Sequence, residues 1–394
     1  MLKNTIAFIK HKPGFTMGFL LSVSSLLLGI WAAALPAIKQ RLGLTNQTLG
    51  LSLFLSPVGS LTGVLLSSWV FSRIKVGKWL LAGPILQCLL FVAMVTVQYR
   101  FVFWLVLFAT GLVGFFNGVS INAVIDMIEK KYQKRIMSSC HGMYSLGGGI
   151  SIGLATIFYS LHINAGYQIS LVAAAIIFIL FYIRRHLLVH QMFIHSGSSL
   201  AAPPVSVIGL AFICFVSFMG EGSIADWSAI YLKESLHSTV AVAGLGYGGF
   251  SVMMAIGRFN GDALIPKLGS KKIVVIATLI AAAGFLLAIA FPYKATAIAG
   301  FSLVGIGYAC VVPILFSAAA NVPGISPAVG ISSIASGGLI GFLVGPSVIG
   351  LVAEKTNLAA GLSFILLLNI IASFVATRNK FLAGNMNAPI IDPH

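Results

Sequence analysis

Long apolar stretches recur along the whole chain and are separated by short polar segments. Each stretch has about 20 residues, the length that a helix needs to cross the hydrocarbon core of a bilayer. The pattern predicts an all-α polytopic membrane protein with twelve transmembrane helices and no separate soluble domain. The predicted spans are 15–37, 47–72, 78–98, 101–127, 136–160, 165–184, 205–232, 239–266, 271–291, 295–320, 327–353 and 358–378.

The second half of this pattern repeats the first at an offset of 194 residues. Gly63 in span 2 matches Gly257 in span 8, and Gly111 in span 4 matches Gly305 in span 10. Several matches at one offset are typical of an internal duplication, so the spans are expected to form two pseudo-symmetric six-helix halves. The predicted division is an N-terminal half at 1–183, a cytoplasmic linker at 184–204, a C-terminal half at 205–380 and a cytoplasmic tail at 381–394.

Composition and charge support a membrane protein and exclude other classes. The chain is 58% hydrophobic and 8% charged, with a mean hydropathy of +1.02, so lipid must be the solvent for much of its surface. Most of the 24 Lys and Arg residues fall in segments on the side of the N-terminus. This bias predicts that both termini are cytoplasmic, and it explains the net charge of +16 without nucleic-acid binding.

The sequence contains no pattern that indicates catalysis, a cofactor or a metal. All four cysteines lie within predicted spans, so neither an extracellular disulfide nor a metal cluster is expected. No catalytic triad, zinc motif or nucleotide-binding loop is found, and the Gly-rich stretch in span 5 lacks the Lys-Ser/Thr step of a phosphate loop. We therefore do not expect an enzyme.

The acidic residues supply the sharpest functional hypothesis. Only eight residues are acidic, and Glu221 alone among them lies deep within a span. Arg258 is predicted near the cytoplasmic end of span 8, too far away to neutralise Glu221 directly. A carboxylate at that depth is expected to be protonated for much of the time. It either exchanges a proton, binds a cationic group of a substrate, or packs helices as a neutral hydrogen-bonding acid.

Asp226 lies in the same span but nearer its outer end. At 100° per residue it is about 140° around the helix from Glu221, so the two carboxylates are not expected to form a pair. An interfacial structural role and a substrate contact are both compatible with its position. Trp227 and Tyr231 lie one turn apart and are interpreted as part of an aromatic belt at the membrane interface.

Five further residues are candidates for solute binding or proton coupling, and each also has a structural interpretation. Asn117 and Asn122 in span 4 either contact solute or join helices by amide hydrogen bonds. His141 in span 5 either bonds a neighbouring helix or releases protons at the cytoplasmic side. Tyr144 and Trp31 either stack on a ring-like solute or pack the bundle.

The stretch "GRFNGDALIPKLGSKK" after span 8 resembles the loop signature of the major facilitator superfamily. The resemblance implies two six-helix halves that rock about a substrate site near the membrane midplane. It also implies a conformational latch rather than a substrate contact, formed by Gly257, Arg258, Asp262, Gly269, Lys271 and Lys272. The first-half copy departs from the signature, since Ser68 replaces the acid and Lys75 the second glycine.

Glycines in spans 5 and 11 are predicted to act in helix packing and as hinges. Span 5 reads "SLGGGISIGLATIF", and span 11 reads "GFLVGPSVIG", in which small residues allow close approach and a proline kinks the helix. A run like that of span 11, when it occurs in span 5, is associated with antiporters in this superfamily. Span 5 lacks the proline here, so an antiporter is not favoured. The predicted packing and hinge residues are Gly149, Gly153, Gly341, Gly345 and Pro346.

Three segments resemble a bacterial branch of the superfamily that includes MosC-like and YbjJ-like proteins. They are "GLVGFFNGVSINAVIDMIEKKY", "HGMYSLGGGISIG" and "EGSIADWSAIYL". The resemblance implies a multi-pass protein of the bacterial inner membrane, in contact with lipid, acting as a monomer. It also implies secondary active transport of a small polar, sugar- or cyclitol-like solute by alternating access, with proton symport as the leading hypothesis.

The resemblance further implies a central cavity lined by spans 1, 4, 5, 7, 10 and 11. Two alternatives remain open at this level. An exporter of amphipathic compounds would suit a cavity that is poor in charge and rich in Phe and Met. A non-transporting membrane receptor or scaffold is favoured slightly by the incomplete first-half signature.

Overall fold

The computed structural model describes residues 8–133, 136–190, 193, 204–325 and 327–382. Within these ranges, the description leaves out the side chains of residues 138, 259, 261–264, 266–267 and 327–328. Within these residues the chain forms twelve long helices. They are α1 Lys12–Arg41, α2 Asn46–Phe71, α3 Val76–Thr96, α4 Arg100–Tyr132, α5 Met137–Ser160, α6 Ala165–Leu188, α7 Val205–Ser235, α8 Leu245–Leu268, α9 Ser270–Ala290, α10 Lys294–Ala320, α11 Pro327–Lys355 and α12 Leu358–Arg378.

These helices confirm the twelve predicted spans. Eleven candidate spans in the described residues are long and apolar enough to cross a membrane, and α5 occupies the place of the remaining one. The ends of the helices lie close to the predicted ends, and α4 shows the largest extension, to Tyr132 rather than to residue 127. Most of the predicted linker and tail lies outside the described residues, so the domain boundaries stay a prediction.

The internal repeat reappears in the residues that start the helices. The Thr45 hydroxyl caps α2 by accepting from the Thr48 amide, and Thr239, 194 residues later, accepts from the Val242 amide in the turn before α8. A side-chain oxygen at this position satisfies a backbone N–H that has no partner within the helix. The same short sequence signal therefore begins equivalent helices in both halves.

Equivalent helices also pack on one another in both halves. α1 packs on α5 as α7 packs on α11, and α2 packs on α4 as α8 packs on α10. Gly111 of α4 faces the carbonyl oxygen of Ser56, and Gly305 of α10 faces the carbonyl oxygen of Phe250, so any Cβ at either glycine would overlap the backbone of the partner helix. Gly305 follows Gly111 by 194 residues, and Phe250 follows Ser56 by the same number. The two contacts are therefore equivalent, which confirms the arrangement in two halves.

The two halves meet along α5 and α8 and along α2 and α11. Gly50 near the start of α2 lies against the carbonyl of Pro346 at 2.7 Å and the Cα of Gly350 at 3.2 Å, both in α11, measured from the position of an added Cβ. These contacts lie on the side of the bundle where α1 ends and α2 begins, which we call the loop end. The opposite side, where α1 begins and α12 ends, is the terminal end.

The aromatic-belt interpretation of α7 is wrong. Trp227 is 0% and Tyr231 is 2% exposed, and the Tyr231 hydroxyl donates a 2.9 Å hydrogen bond to the carbonyl of Ala288. The reason is that α7 contacts α1, α8, α10, α11 and α12, so this part of the helix has no face left for lipid. Both rings are packing residues of the bundle.

The predicted packing glycines divide into two groups. Gly149 approaches Val252 of α8, and Gly341 and Gly345 allow α11 to lie directly on α7. An added Cβ at Gly153 would meet no atom within 4 Å, because this face of α5 is exposed. The prediction that Gly153 allows close packing is therefore wrong, whereas the hinge role of these positions and of Pro346 remains a prediction.

The contact between Gly305 and the Phe250 carbonyl gives a direct test of this packing. We expect Gly305→Val to destabilise the protein by about 1–3 kcal/mol, because a β-branched side chain there overpacks against backbone that has no room to move. Gly153→Val is the matched control and is expected to change stability by less than about 0.5 kcal/mol. Melting temperatures of the two purified variants in detergent measure the difference, and equal melting temperatures would contradict the packing assigned to Gly305.

Candidate functional site

A cavity of about 400 Å³ lies between the two halves. Its N-terminal wall is formed by α1, α2, α3, α4 and α5, and its C-terminal wall by α7, α8 and α11. The predicted set of lining spans omitted α2, α3 and α8, and it wrongly included span 10, since no described residue of α10 lines the cavity. The reason is that α10 lies behind α8, where Gly257 packs on Ala309.

Five of the seven predicted solute or coupling residues meet at this cavity, namely Glu221, Asp226, Asn117, Tyr144 and Trp31. Asn122 and His141 are not among the lining residues. The Oδ1 atom of Asn122 is buried and has no hydrogen-bond partner in the described part of the chain. The hydroxyl of Ser145, one turn along α5, donates a 3.5 Å hydrogen bond to the His141 carbonyl.

Glu221 and Asp226 open into the same cavity although they lie on different faces of α7. Both residues are partly exposed, and the small residues Gly222 and Ala225 between them also border the cavity. Because these residues have almost no side chain, the cavity extends around α7 and reaches both acids. Neither carboxylate forms a hydrogen bond or an ion pair within the described residues, whose ion pairs are Lys39–Glu234 and Lys130–Asp126.

Arg258 links the two halves beside this cavity. Its Nη1 atom donates a 2.7 Å hydrogen bond to the hydroxyl of Ser145, which lies on α5 in the other half. Arg258 and Glu221 form no ion pair, as expected from the sequence. The side chain of Asp262, the proposed latch partner of Arg258, lies outside the described residues.

The other predicted latch residues have separate structural roles. Gly257 carries the contact between α8 and α10 described above. Gly269 ends α8 with a backbone φ of +77°, a conformation that other residues adopt only with strain, and donates its N–H to the Ile265 carbonyl. Lys271 follows in the first turn of α9. The structure thus places these residues on a tight α8–α9 connection, while their latch function remains a prediction.

The N-terminal wall presents neutral amides instead of acids. Asn117 of α4 donates a 3.1 Å hydrogen bond from Nδ2 to Oε1 of Gln87 on α3, and both side chains line the cavity. Sequence reasoning missed Gln87, although a single glutamine in the apolar run "GPILQCLLFV" was an available signal. It also missed Tyr247 of α8, which lines the cavity and resembles an ordinary packing residue in sequence.

Hydroxyl groups complete the polar part of the lining, from Ser24 on α1, Ser56 and Ser60 on α2, and Thr110 on α4. The remaining surface is largely aliphatic and aromatic. Within the described residues, no group of three or more His, Cys, Asp or Glu side chains is placed to hold a metal ion. The arrangement can bind a small molecule through hydrogen bonds on one wall and carboxylates on the other.

Known proteins resemble this chain over nearly its whole length. Residues 17–206 and 210–382 match the sequence profile of the Major Facilitator Superfamily. An uncharacterized MFS-type transporter of Yersinia pestis is 34% identical over 358 residues, which cover 89% of this chain and 92% of that protein. The membrane protein MosC of Rhizobium meliloti is 30% identical over 371 residues, which cover 91% of this chain and 88% of MosC.

Solved structures agree at the level of the fold. A bacterial homologue of the human lysosomal transporter Spinster, crystallised in an inward-facing and unoccupied conformation, superposes with a TM-score of 0.73. The superposition covers 95% of this chain and 97% of that protein, at 14% identity. The profile match, the relatives, the repeat and the cavity between the halves lead to one conclusion: this chain belongs to the major facilitator superfamily of membrane transporters.

Proposed function

We propose that the protein is a secondary active transporter that moves a small polar solute by alternating access, with Glu221 as the proton-coupling residue. The observation that carries this proposal is that Glu221 faces a cavity between the two halves and forms no ion pair within the described residues. A carboxylate in such a place is stable only when protonated or when paired with a charge that the solute brings. Either event couples its state to the contents of the cavity.

The hydrogen bonds between the two halves support alternating access. Of those formed by the described residues, all but the Arg258–Ser145 bond lie near the loop end. Lys39 of α1 bonds both carboxylate oxygens of Glu234 at the end of α7, at 2.8 and 2.6 Å, and Ser347 donates to the Gly50 carbonyl at 3.2 Å. We infer that this conformation is closed at the loop end. With the orientation predicted from the charge bias, it is closed to the outside.

The dimensions and chemistry of the cavity favour a hydroxyl-rich ring compound. Its volume of about 400 Å³ lies within the range of small-molecule sites, about 300–1,000 Å³. Tyr144 is partly exposed and borders the cavity together with the edge of the more deeply buried Trp31, and the amides, hydroxyls and carboxylates around them offer donors and acceptors. A sugar- or cyclitol-like solute uses both kinds of contact. The apolar part of the lining, with Phe91, Met94 and Phe342, favours export of amphipathic compounds as a second candidate function.

The first prediction concerns Glu221. We expect a solute that binds in the cavity to raise the melting temperature of the wild type by an amount that changes with pH, because the Glu221 proton is exchanged on binding. In Glu221→Gln, which resembles the protonated acid, this pH dependence should fall to the part that Asp226 contributes. A panel of sugars, cyclitols and amphipathic compounds, screened at two pH values, measures the effect. A ligand at 100 times its dissociation constant stabilises the folded protein by about 2.7 kcal/mol, which is large enough to appear as a shift of the melting temperature.

The matched control for this screen is Asp126→Asn. Asp126 is an exposed acid on α4 that pairs with Lys130 away from the cavity, so the same chemical change there should leave the pH dependence intact. A Glu221→Gln protein that retains the pH dependence of the wild type would contradict the coupling role. A panel in which only amphipathic compounds stabilise the protein would favour the second candidate function.

The second prediction concerns closure at the loop end. Lys39→Met removes the cation that pairs with Glu234 and also bonds Oδ1 of Asn46. The side chain of Lys39 is 11% exposed. We expect this variant to favour the conformation open at the loop end by about 1 kcal/mol, a roughly fivefold change in the population ratio. The rate at which a membrane-impermeant thiol reagent labels Ser56→Cys from the loop side, in a background without the native cysteines, should rise accordingly.

Lys130→Met supplies the control for this labelling experiment, because Lys130 pairs with Asp126 within α4 and does not join the two halves. Its labelling rate should equal that of the parent protein. If Lys39→Met also labels at the parent rate, then the Lys39–Glu234 pair does not hold the loop end closed.

A further inference from the structure

Two buried side-chain atoms behind the N-terminal wall of the cavity have no hydrogen-bond partner within the described residues. They are Nε1 of Trp79 on α3 and Oδ1 of Asn117 on α4. The indole nitrogen can only donate and the amide oxygen can only accept. A buried polar atom without a partner is destabilising by roughly 1–3 kcal/mol, so the presence of a complementary pair requires an explanation.

The two atoms border the same small space. Both press on the position that a Cβ of Gly83 would occupy, Trp79 Nε1 at 2.6 Å and Asn117 Oδ1 closer still. Any residue other than glycine at position 83 would separate them. Gly83 therefore leaves a donor and an acceptor near each other with no side chain between them.

The indole ring is held in position from its other sides. The ring of Trp79 packs edge to face with Phe71 at 6.1 Å and with Phe116 at 5.5 Å between ring centroids. Such contacts favour one ring orientation. Because Phe116 directly precedes Asn117 on α4, the same packing also fixes the distance between the indole and the amide.

A fixed indole donor determines the direction of every hydrogen bond that follows it. If Asn117 accepts from Trp79 through Oδ1, its Nδ2 must donate to Oε1 of Gln87, as the structure shows at 3.1 Å. The Nε2 group of Gln87 is then left with its two N–H donors and no partner among the described residues. Since Gln87 lines the cavity, these donors are available to a bound molecule.

We propose that Trp79, Asn117 and Gln87 form a hydrogen-bond relay that fixes Gln87 as a donor for an acceptor oxygen of the transported solute. The inference rests on the proposed transport function, and it assigns a solute-binding residue on the wall opposite Glu221 and Asp226. Trp79 and Asn117 are positioning residues. The oxygen that Gln87 binds is a hydroxyl, ether or carbonyl oxygen.

The cavity leaves room for a solute beside this amide. Gly114 and Gly118 of α4 also line the cavity, and an added Cβ at Gly114 would lie 3.7 Å from the amide atoms of Gln87. An added Cβ at Gly118 would meet nothing within 4 Å. A solute placed there contacts the donor of one half and reaches towards the carboxylates of the other, so its binding joins the two halves.

The relay is tested by the indole N–H resonance of Trp79 in protein labelled with ¹⁵N-tryptophan, assigned by its disappearance in Trp79→Phe. Among the five tryptophans, Trp104 is the internal reference, because its Nε1 already donates to the Ser52 hydroxyl at 2.9 Å. We expect the Trp79 resonance to move upfield in Asn117→Ala while that of Trp104 stays in place. A Trp79 resonance unchanged in Asn117→Ala would overturn the relay, whatever the protein transports.

The donor role of Gln87 is tested with myo-inositol, a neutral ring compound with six hydroxyl groups. Gln87→Met keeps the length of the side chain but removes its amide donors and acceptor, and Gln87→Leu also shortens it. We expect each variant to bind myo-inositol at least tenfold more weakly than the wild type, as measured by thermal stabilisation. Gln168→Leu, which replaces a buried glutamine outside the cavity lining, should bind as the wild type does.

The outcomes separate this inference from the proposed function. Equal binding of myo-inositol by the wild type and Gln87→Met would overturn the donor role. If the wild type does not bind myo-inositol, the proposal that the solute is a hydroxyl-rich ring compound is contradicted. The assignment of Gln87 as a donor to such a compound is then contradicted as well. The indole resonance still decides the relay in that case, and a shift of the Trp79 resonance in Gln87→Leu supports it.

Discussion

Direct contact between helix backbones at glycine is the constraint on which this structure depends. Lipid is as apolar as the side chains, so apolar burial gives helices in a membrane little reason to associate, and close packing has to supply the attraction. Gly111 on Ser56 and Gly305 on Phe250 bring backbone against backbone at equivalent places in the two halves. Each half is therefore a tightly packed bundle, and the looser region between the halves is where a cavity can remain.

The asymmetry between the halves determines the chemistry of that cavity. The positions of the first half that match Glu221 and Asp226 hold Leu27 and Ala32. The positions of the second half that match Gln87 and Asn117 hold Ala281 and Val311. The duplication thus supplied the scaffold, whereas the polar groups are specific to one half each. Carboxylates on one wall and neutral amides on the other give a solute two chemically distinct partners, one on each of the halves that the proposed alternating access would move.

The sequence predicted the helices and the repeat because both depend on patterns that are local or periodic. Hydropathy over about 20 residues identifies a span regardless of its neighbours. Hydropathy does not tell which face of a span meets lipid. For that reason Trp227 and Tyr231 were assigned to an aromatic belt although α7 is enclosed by other helices, and Gly153 was assigned to a packing face although it is exposed.

The candidate site was predicted where a residue is chemically exceptional, and missed where its role depends on its neighbours. Glu221 is recognisable because a carboxylate deep in a span is rare. Gln87 is recognisable only with Asn117 and Trp79 beside it, since an isolated glutamine in a span is equally compatible with helix packing. No described residue of α10 lines the cavity, because α8 lies between α10 and the cavity. The sequence of span 10 alone does not reveal this arrangement.

Proton movement in reconstituted vesicles tests the central claim, that Glu221 couples solute flux to protons, most directly. A pH-sensitive dye inside the vesicles reports protons while a solute gradient is applied, and solute exchange is followed in parallel. The account predicts that solute flux changes the internal pH in the wild type, and that Glu221→Gln still exchanges solute but moves no protons with it. Proton movement of the wild-type size in Glu221→Gln, at equal solute flux, would contradict the account.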